Sequence, residues 1–183
     1  MNVTDLVDAF VEKVNTSPRE PEQIADVPEF LRQGEIDGDF TDWRIVRRDN
    51  IASIHALQNR LGLRFPASFL NLVSRYSFPA FEFGPVMFFA NTGQNIFWEL
   101  GSKLFKDPFM SPVLRENGYI QIGNPYFYNY DPICFNSNAA AEEYPIVQLD
   151  HEAILQLKQL LVVEEIAPSF SDLMTSLIQK TDA

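Results

Sequence analysis

Cysteine occurs once in the 183 residues, at Cys134, and histidine twice, at His55 and His151. One cysteine closes no internal disulfide, and so few soft ligands leave little for a zinc site. No apolar run comes near the roughly 18 residues that a membrane-crossing helix needs. The opening MNVTDLVDAF holds acids and no basic group, unlike the positive start of a secretory signal. The glycines are scattered singly, with neither GxxxxGK nor GxGxxG, so no phosphate cradle is spelled out. Basic residues are scarce, 14 Lys and Arg against 25 Asp and Glu, which disfavours direct binding to nucleic acid or anionic membrane. These absences predict a cytoplasmic protein without a cofactor or metal.

What is present is aromatic and apolar. Sixteen Phe, six Tyr and two Trp within a 46% hydrophobic composition predict a folded chain with an aromatic-rich core. The net charge of −11 is uneven: −8 over residues 1–42, +5 over 43–80, and −8 over 81–183. An acidic chain attracts basic partners at enhanced rate, although the same charge also serves plain solubility.

Val3, Leu6, Val7, Phe10, Val11 and Val14 recur at three- and four-residue steps and predict an amphipathic helix. Between Asn15 and Asp42, three prolines and many acids predict an irregular connector, with at most a helical turn around Glu29–Gln33. The chain thus divides into an acidic helix and Pro-containing connector over 1–42 and a folded domain over 43–183. In that domain Asp49-Asn50 caps a helix bearing Ile51, Ile54, Leu57 and Leu61, which Gly62 closes. Pro66 opens another, with Phe69, Leu72, Val73 and Tyr76 as one buried stripe. Phe81–Phe83 and Val86–Ala90 read as strands joined by Gly84-Pro85.

Further on, the run Ile96–Leu104 fits strand or helix, and Pro108–Glu116 fits a helix capped by Asp107. Strands are expected at Tyr119–Ile122, Ile133–Phe135, Ile146–Leu149 and Val162-Val163, with a helix over Glu152–Leu161. Ser169 with Asp172 three residues later resembles a capping box ahead of Phe170, Leu173, Met174 and Leu177. Phe65, Phe69, Leu72, Val73, Phe170, Leu173 and Leu177 should share one core.

No set of residues spells out catalysis, and no catalytic residue is assigned. His55 lies at the polar edge of its helix with no nucleophile motif beside it. Asp150-His151-Glu152 follows a strand, where neighbours point different ways, and reads as a turn capping the next helix. Cys134 sits between Ile133 and Phe135 as a core thiol without a basic neighbour. Glu142-Glu143 reads as a solvated pair, and Arg44, Arg47 and Arg48 as partners of internal carboxylates.

Leu61, Gly62, Leu63, Phe65, Pro66 and Phe69 resemble the LG-hydrophobic-x-hydrophobic-P-x-x-(Y/F) stretch of the SUKH (Smi/Knr-like) superfamily. Four more stretches follow in register. Tyr119–Gly123 is similar to the family's strand ending in IG, Asp131–Phe135 to its DPICFD strand, Pro145–Glu152 to its PVYxxDHE strand and turn, and Ala167–Met174 to its closing A-x-SFxxFL helix. Residues 126–130, YFYNY, depart from the family's glycines, and Asn136 stands where the family has aspartate.

The resemblance implies an α+β domain with a mostly antiparallel central sheet flanked by helices. It also implies an immunity-type protein that binds and neutralises a cognate toxin, often a nuclease, through a stoichiometric protein–protein interface. The alternative is a regulatory interaction module of the kind that controls cell-wall synthesis or signalling. Neither needs an active site.

For the partner-binding surface, Glu82, Asp107, Asp131, Glu142, Glu143 and Asp150 are candidates, as acids expected mainly in loops around strands. Tyr126, Tyr128 and Tyr130 form one alternating run whose rings point to one side if extended. The same features also fit aromatics that fill a core gap and acids that are merely solvated.

Overall fold

The structure, a computed structural model, describes residues 1–93, 98–125, 130–139 and 142–180. Helix α1 (Val3–Thr16) begins at Asn2, whose side chain accepts from the Asp5 N–H at 2.9 Å and satisfies a free first-turn donor. The segment expected to be an irregular connector then folds into a small antiparallel sheet. Its strands are β1 (Glu22–Gln23), β2 (Arg32–Asp37) and β3 (Phe40–Trp43), in the order β1-β3-β2. The turn between β2 and β3 is Gly38-Asp39, with Gly38 at φ 60°, a conformation that costs glycine nothing. Short 3₁₀ turns at Ile24–Asp26 and Glu29–Leu31 separate β1 from β2.

Strand β4 (Val46–Arg47) leads into α2 (Ile51–Leu61), and α3 (Ala67–Arg75) runs into β5 (Tyr76–Ser77), which pairs with β4. Gly62 ends α2 at φ 73° as expected. Asp49 caps α2 by accepting from Ile51 N–H at 3.0 Å. Asn50 instead turns inward and donates to Tyr76 O and Ser77 Oγ, both at 3.0 Å. Tyr76 is buried from a strand, not from the helical stripe.

The main sheet is a six-stranded antiparallel meander in chain order: β6 (Phe81–Phe83), β7 (Val86–Phe88), β8 (Tyr119–Pro125), β9 (Ile133–Asn136), β10 (Ile146–Leu149) and β11 (Val162–Ala167). Between β7 and β8 lie α4 (Glu99–Lys106) and α5 (Met110–Glu116). The helix expected over Glu152–Leu161 is only a π turn at Ala153–Leu157. Helix α6 (Phe170–Gln179) closes the chain behind the capping box: Ser169 Oγ accepts from Asp172 N–H at 3.0 Å and donates to Asp172 Oδ2 at 2.7 Å.

The architecture is α+β. Helix α1 packs against α3 and α6, so its buried Leu6, Val7, Phe10, Val11 and Val14 share one core with residues of the 43–183 region. Phe65, Phe69, Leu72, Val73, Phe170, Leu173 and Leu177 all lie in it. Phe170 is its hub, with ring centroids 6.3, 5.2, 6.2 and 6.1 Å from Phe10, Phe69, Phe88 and Phe135, each edge-on. Cys134 is fully buried, and burial pushes its thiol pKa well up, which leaves it an inert core group. Among the described residues, no helix is long and apolar enough to cross a membrane.

Candidate functional site

Where the small sheet meets the first strand of the large one, the Trp43 ring lies 5.6 Å from that of Phe81. Beside this contact runs a groove of about 1030 Å³. Residues 18–22, Asp26, Val27 and Trp43 form one wall, and residues 79–84 with Met87, Ala90 and Glu99 form the other. Phe81, Phe83, Met87 and Val27 make parts of it apolar, and five carboxylates line it: Glu20, Glu22, Asp26, Glu82 and Glu99.

The charges in the groove are poorly balanced. Arg19 is the one basic residue lining it, and its guanidinium is spent on the wall itself. It donates to Val14 O at 2.5 Å and to Trp43 O, and lies 4.2 Å over the Trp43 ring. Glu99 accepts from Ala90 N–H at 3.2 Å and sits 3.9 Å from Lys103 Nζ. Glu20, Glu22, Asp26 and Glu82 make no ion pair among the described residues.

Lost solvation raises the Glu22 carboxyl above its ordinary pKa, helped by the charges of Asp26, Glu82 and Glu20. Lost solvation and Glu20 raise Glu82 in the same way. Such a site is short of positive charge, and an incoming cation would relieve it.

The other candidate residues are placed differently. Asp107 accepts from the N–H groups of Phe109 and Met110 at 2.7 and 2.8 Å, ahead of α5, and so acts as the expected cap. Glu142 is exposed. Its neighbour Glu143 is not a solvated acid: it accepts from Ser68 N–H at 2.8 Å and from Ser68 Oγ at 2.5 Å, capping the first turn of α3 from 75 residues away. Tyr126 and Tyr128 lie outside the described residues. Tyr130 is 76% exposed, with its ring 6.0 Å from that of His151.

Asp131 corrects the picture of a loop acid, since it is 6% exposed. Its Oδ1 accepts from His151 N–H at 2.9 Å and lies 2.7 Å from His151 Nδ1, while Oδ2 accepts from Gln148 Nε2 at 2.7 Å. Asp150 accepts from Ala153 N–H at 3.0 Å, capping the π turn as its sequence position suggests.

Asp131, Asp150 and His151 bring ligand atoms within 4.8 Å of one another, a convergence that chain neighbours alone do not reveal. Both Asp131 oxygens are already engaged by donors, and the cluster latches the approach to β9 onto the end of β10. Glu82 lies three strands away from β9, so the structure does not gather the sequence candidates into one surface. The residues that do converge with Glu82 come from the acidic segment before Trp43, whose −8 balance was the available signal. Comparison with protein-family models, curated proteins and solved structures finds no match.

Proposed function

We propose that this chain is an immunity-type protein of the SUKH (Smi/Knr-like) kind, which neutralises a cognate nuclease-type toxin by stoichiometric binding. In this reading the acidic groove, rather than the stretch from Tyr126 to Glu143, receives a basic face of the toxin. The observation that carries it is the set of four carboxylates, Glu20, Glu22, Asp26 and Glu82, that make no ion pair among the described residues and line a partly apolar groove. Nuclease domains present basic surfaces to their substrates, and an acidic inhibitor is steered to such a face. The five motif stretches in register support the family assignment.

The test is a search of the neighbouring genes for a nuclease-type toxin domain and a titration of the protein against it, with nuclease activity and association rate as readouts. A one-to-one complex that abolishes nuclease activity is expected. Its association rate should fall steeply with added salt, and Glu22→Lys with Glu82→Lys should remove most of that dependence. Failure to form the complex, or partnership with a host regulatory complex instead, would overturn the reading.

A further inference from the structure

The groove is also where the large sheet ends. Strand β6 pairs with β7 on one side only. The two-residue turn Gly84-Pro85 sets Phe83 opposite Val86, Glu82 opposite Met87 and Phe81 opposite Phe88. Phe89 donates its N–H to Ile122 O in β8 at 3.1 Å, so by alternation the peptide groups of Phe88 face β6. Phe81 and Phe83 therefore exchange hydrogen bonds with β7, and the N–H and C=O of Glu82 turn to the open edge. Trp43, 3% exposed, borders the same groove, and its indole Nε1–H has no acceptor among the described residues.

Resting on the immunity reading, we infer that the groove takes an extended segment of the partner, an arginine- or lysine-bearing strand that pairs with the outward backbone of Glu82 and sets its cation among Glu20, Glu22 and Glu82. A lone hydrated metal ion would fill only a small part of the groove. A water occupies about 30 Å³, whereas the groove's 1030 Å³ is of the order of sites that hold a peptide-sized ligand. The apolar side chains of Phe83 and Met87 offer places for the residues flanking the cation. The same edge gives backbone pairing its direction, and the carboxylates give the side chain its identity.

The experiment uses a labelled nine-residue peptide alternating valine with arginine, titrated into the full chain by fluorescence anisotropy. Its comparisons are a citrulline version, a version N-methylated at its central amides, and spermine as a shapeless polycation. Citrulline, N-methylation, and the variant Glu22→Gln with Glu82→Gln should each weaken binding by about tenfold or more. Glu142→Gln, an exposed acid elsewhere, should leave it unchanged. Equal binding of the citrulline peptide or by the Glu22/Glu82 variant would overturn the inference, as would equal binding of the N-methylated peptide or full displacement by stoichiometric spermine. Toxin neutralisation is read separately. A toxin bound by a chain that ignores the peptide would overturn this inference alone. A peptide bound as expected, with toxin neutralisation untouched in the Glu22/Glu82 variant, would also overturn it, because the partner would then be held elsewhere, and would leave the immunity reading standing.

Discussion

The six-stranded sheet ends differently on its two sides. At β11, four consecutive residues from Val162 to Glu165 are exposed, and the pairing with β10 slips twice, between Ile146 and Val147 and between Gln148 and Leu149. Bulges and charged residues keep an open edge from capturing a stray chain. At β6 the strand has three residues in unbroken register, and the acidic wall of the small sheet stands across the groove from it. One edge is blunted by its own irregularity; the other stays regular and is screened by charge. In the proposed reading the same residue type does two jobs: Glu164 and Glu165 discourage pairing, while Glu22 and Glu82 select what can pair.

The severest way to break this comparison is through the core that both edges share. Phe170 meets Phe88 on the β6 side and Phe135 on the β11 side. Phe170→Ala should cost about 3–5 kcal/mol in urea denaturation. Both edges should loosen together in hydrogen exchange; retention of protection at one edge alone would show that the halves of the sheet are independent.

A smaller effect separates an acid that builds the fold from one that is merely exposed. Glu143→Ala removes the cap of α3 and should cost about 1 kcal/mol, while Glu142→Ala stays within about 0.5 kcal/mol. Equal thermal melts for the two variants would contradict the capping role.

The smallest effect depends on pH. Folding raises the Glu22 carboxyl, so its ionised form opposes stability at neutral pH. That penalty is present above the folded pKa and fades as the pH falls toward the ordinary glutamate value of about 4.3. Glu22→Gln should therefore stabilise the chain at neutral pH and lose its advantage in acid. Denaturation curves at the two pH values check the sign, and an advantage that grew in acid would contradict it.

How far these features were legible depended on how local they are. The stripe of α3, the cap at Ser169 and the stop at Gly62 rest on residues within one or two turns, and spacing revealed them. The small sheet was hidden because its strands are short and polar and their pairing is tertiary. Its one local sign was Gly38-Asp39, a hairpin turn pair in a stretch dominated by acids and prolines. The expected helix after Glu152 is cut short as a π turn ending at Leu157, where Lys158 takes φ 56°, and the strand expected at Val162-Val163 follows as β11. At the site, Glu82 was found by its type, but its companions Glu20, Glu22 and Asp26 were not. They reach the groove only because the small sheet exists. Glu143 and Asp131 misled for the same reason, since Ser68 and His151, which hold them, lie 75 and 20 residues away.

The packing of α1 on α6 gives the chain a history as well as a shape. Synthesis runs from the amino end, so α1 leaves the ribosome long before residue 170 is made. Phe10 finds Phe83 and Phe88 as the β6–β7 hairpin emerges, but its contact with Phe170 must await α6. Until then the apolar stripe of α1 is incompletely covered, and the acidic segment behind it has no settled wall to form. A nascent chain therefore passes through a period in which chaperones have a hydrophobic helix to hold.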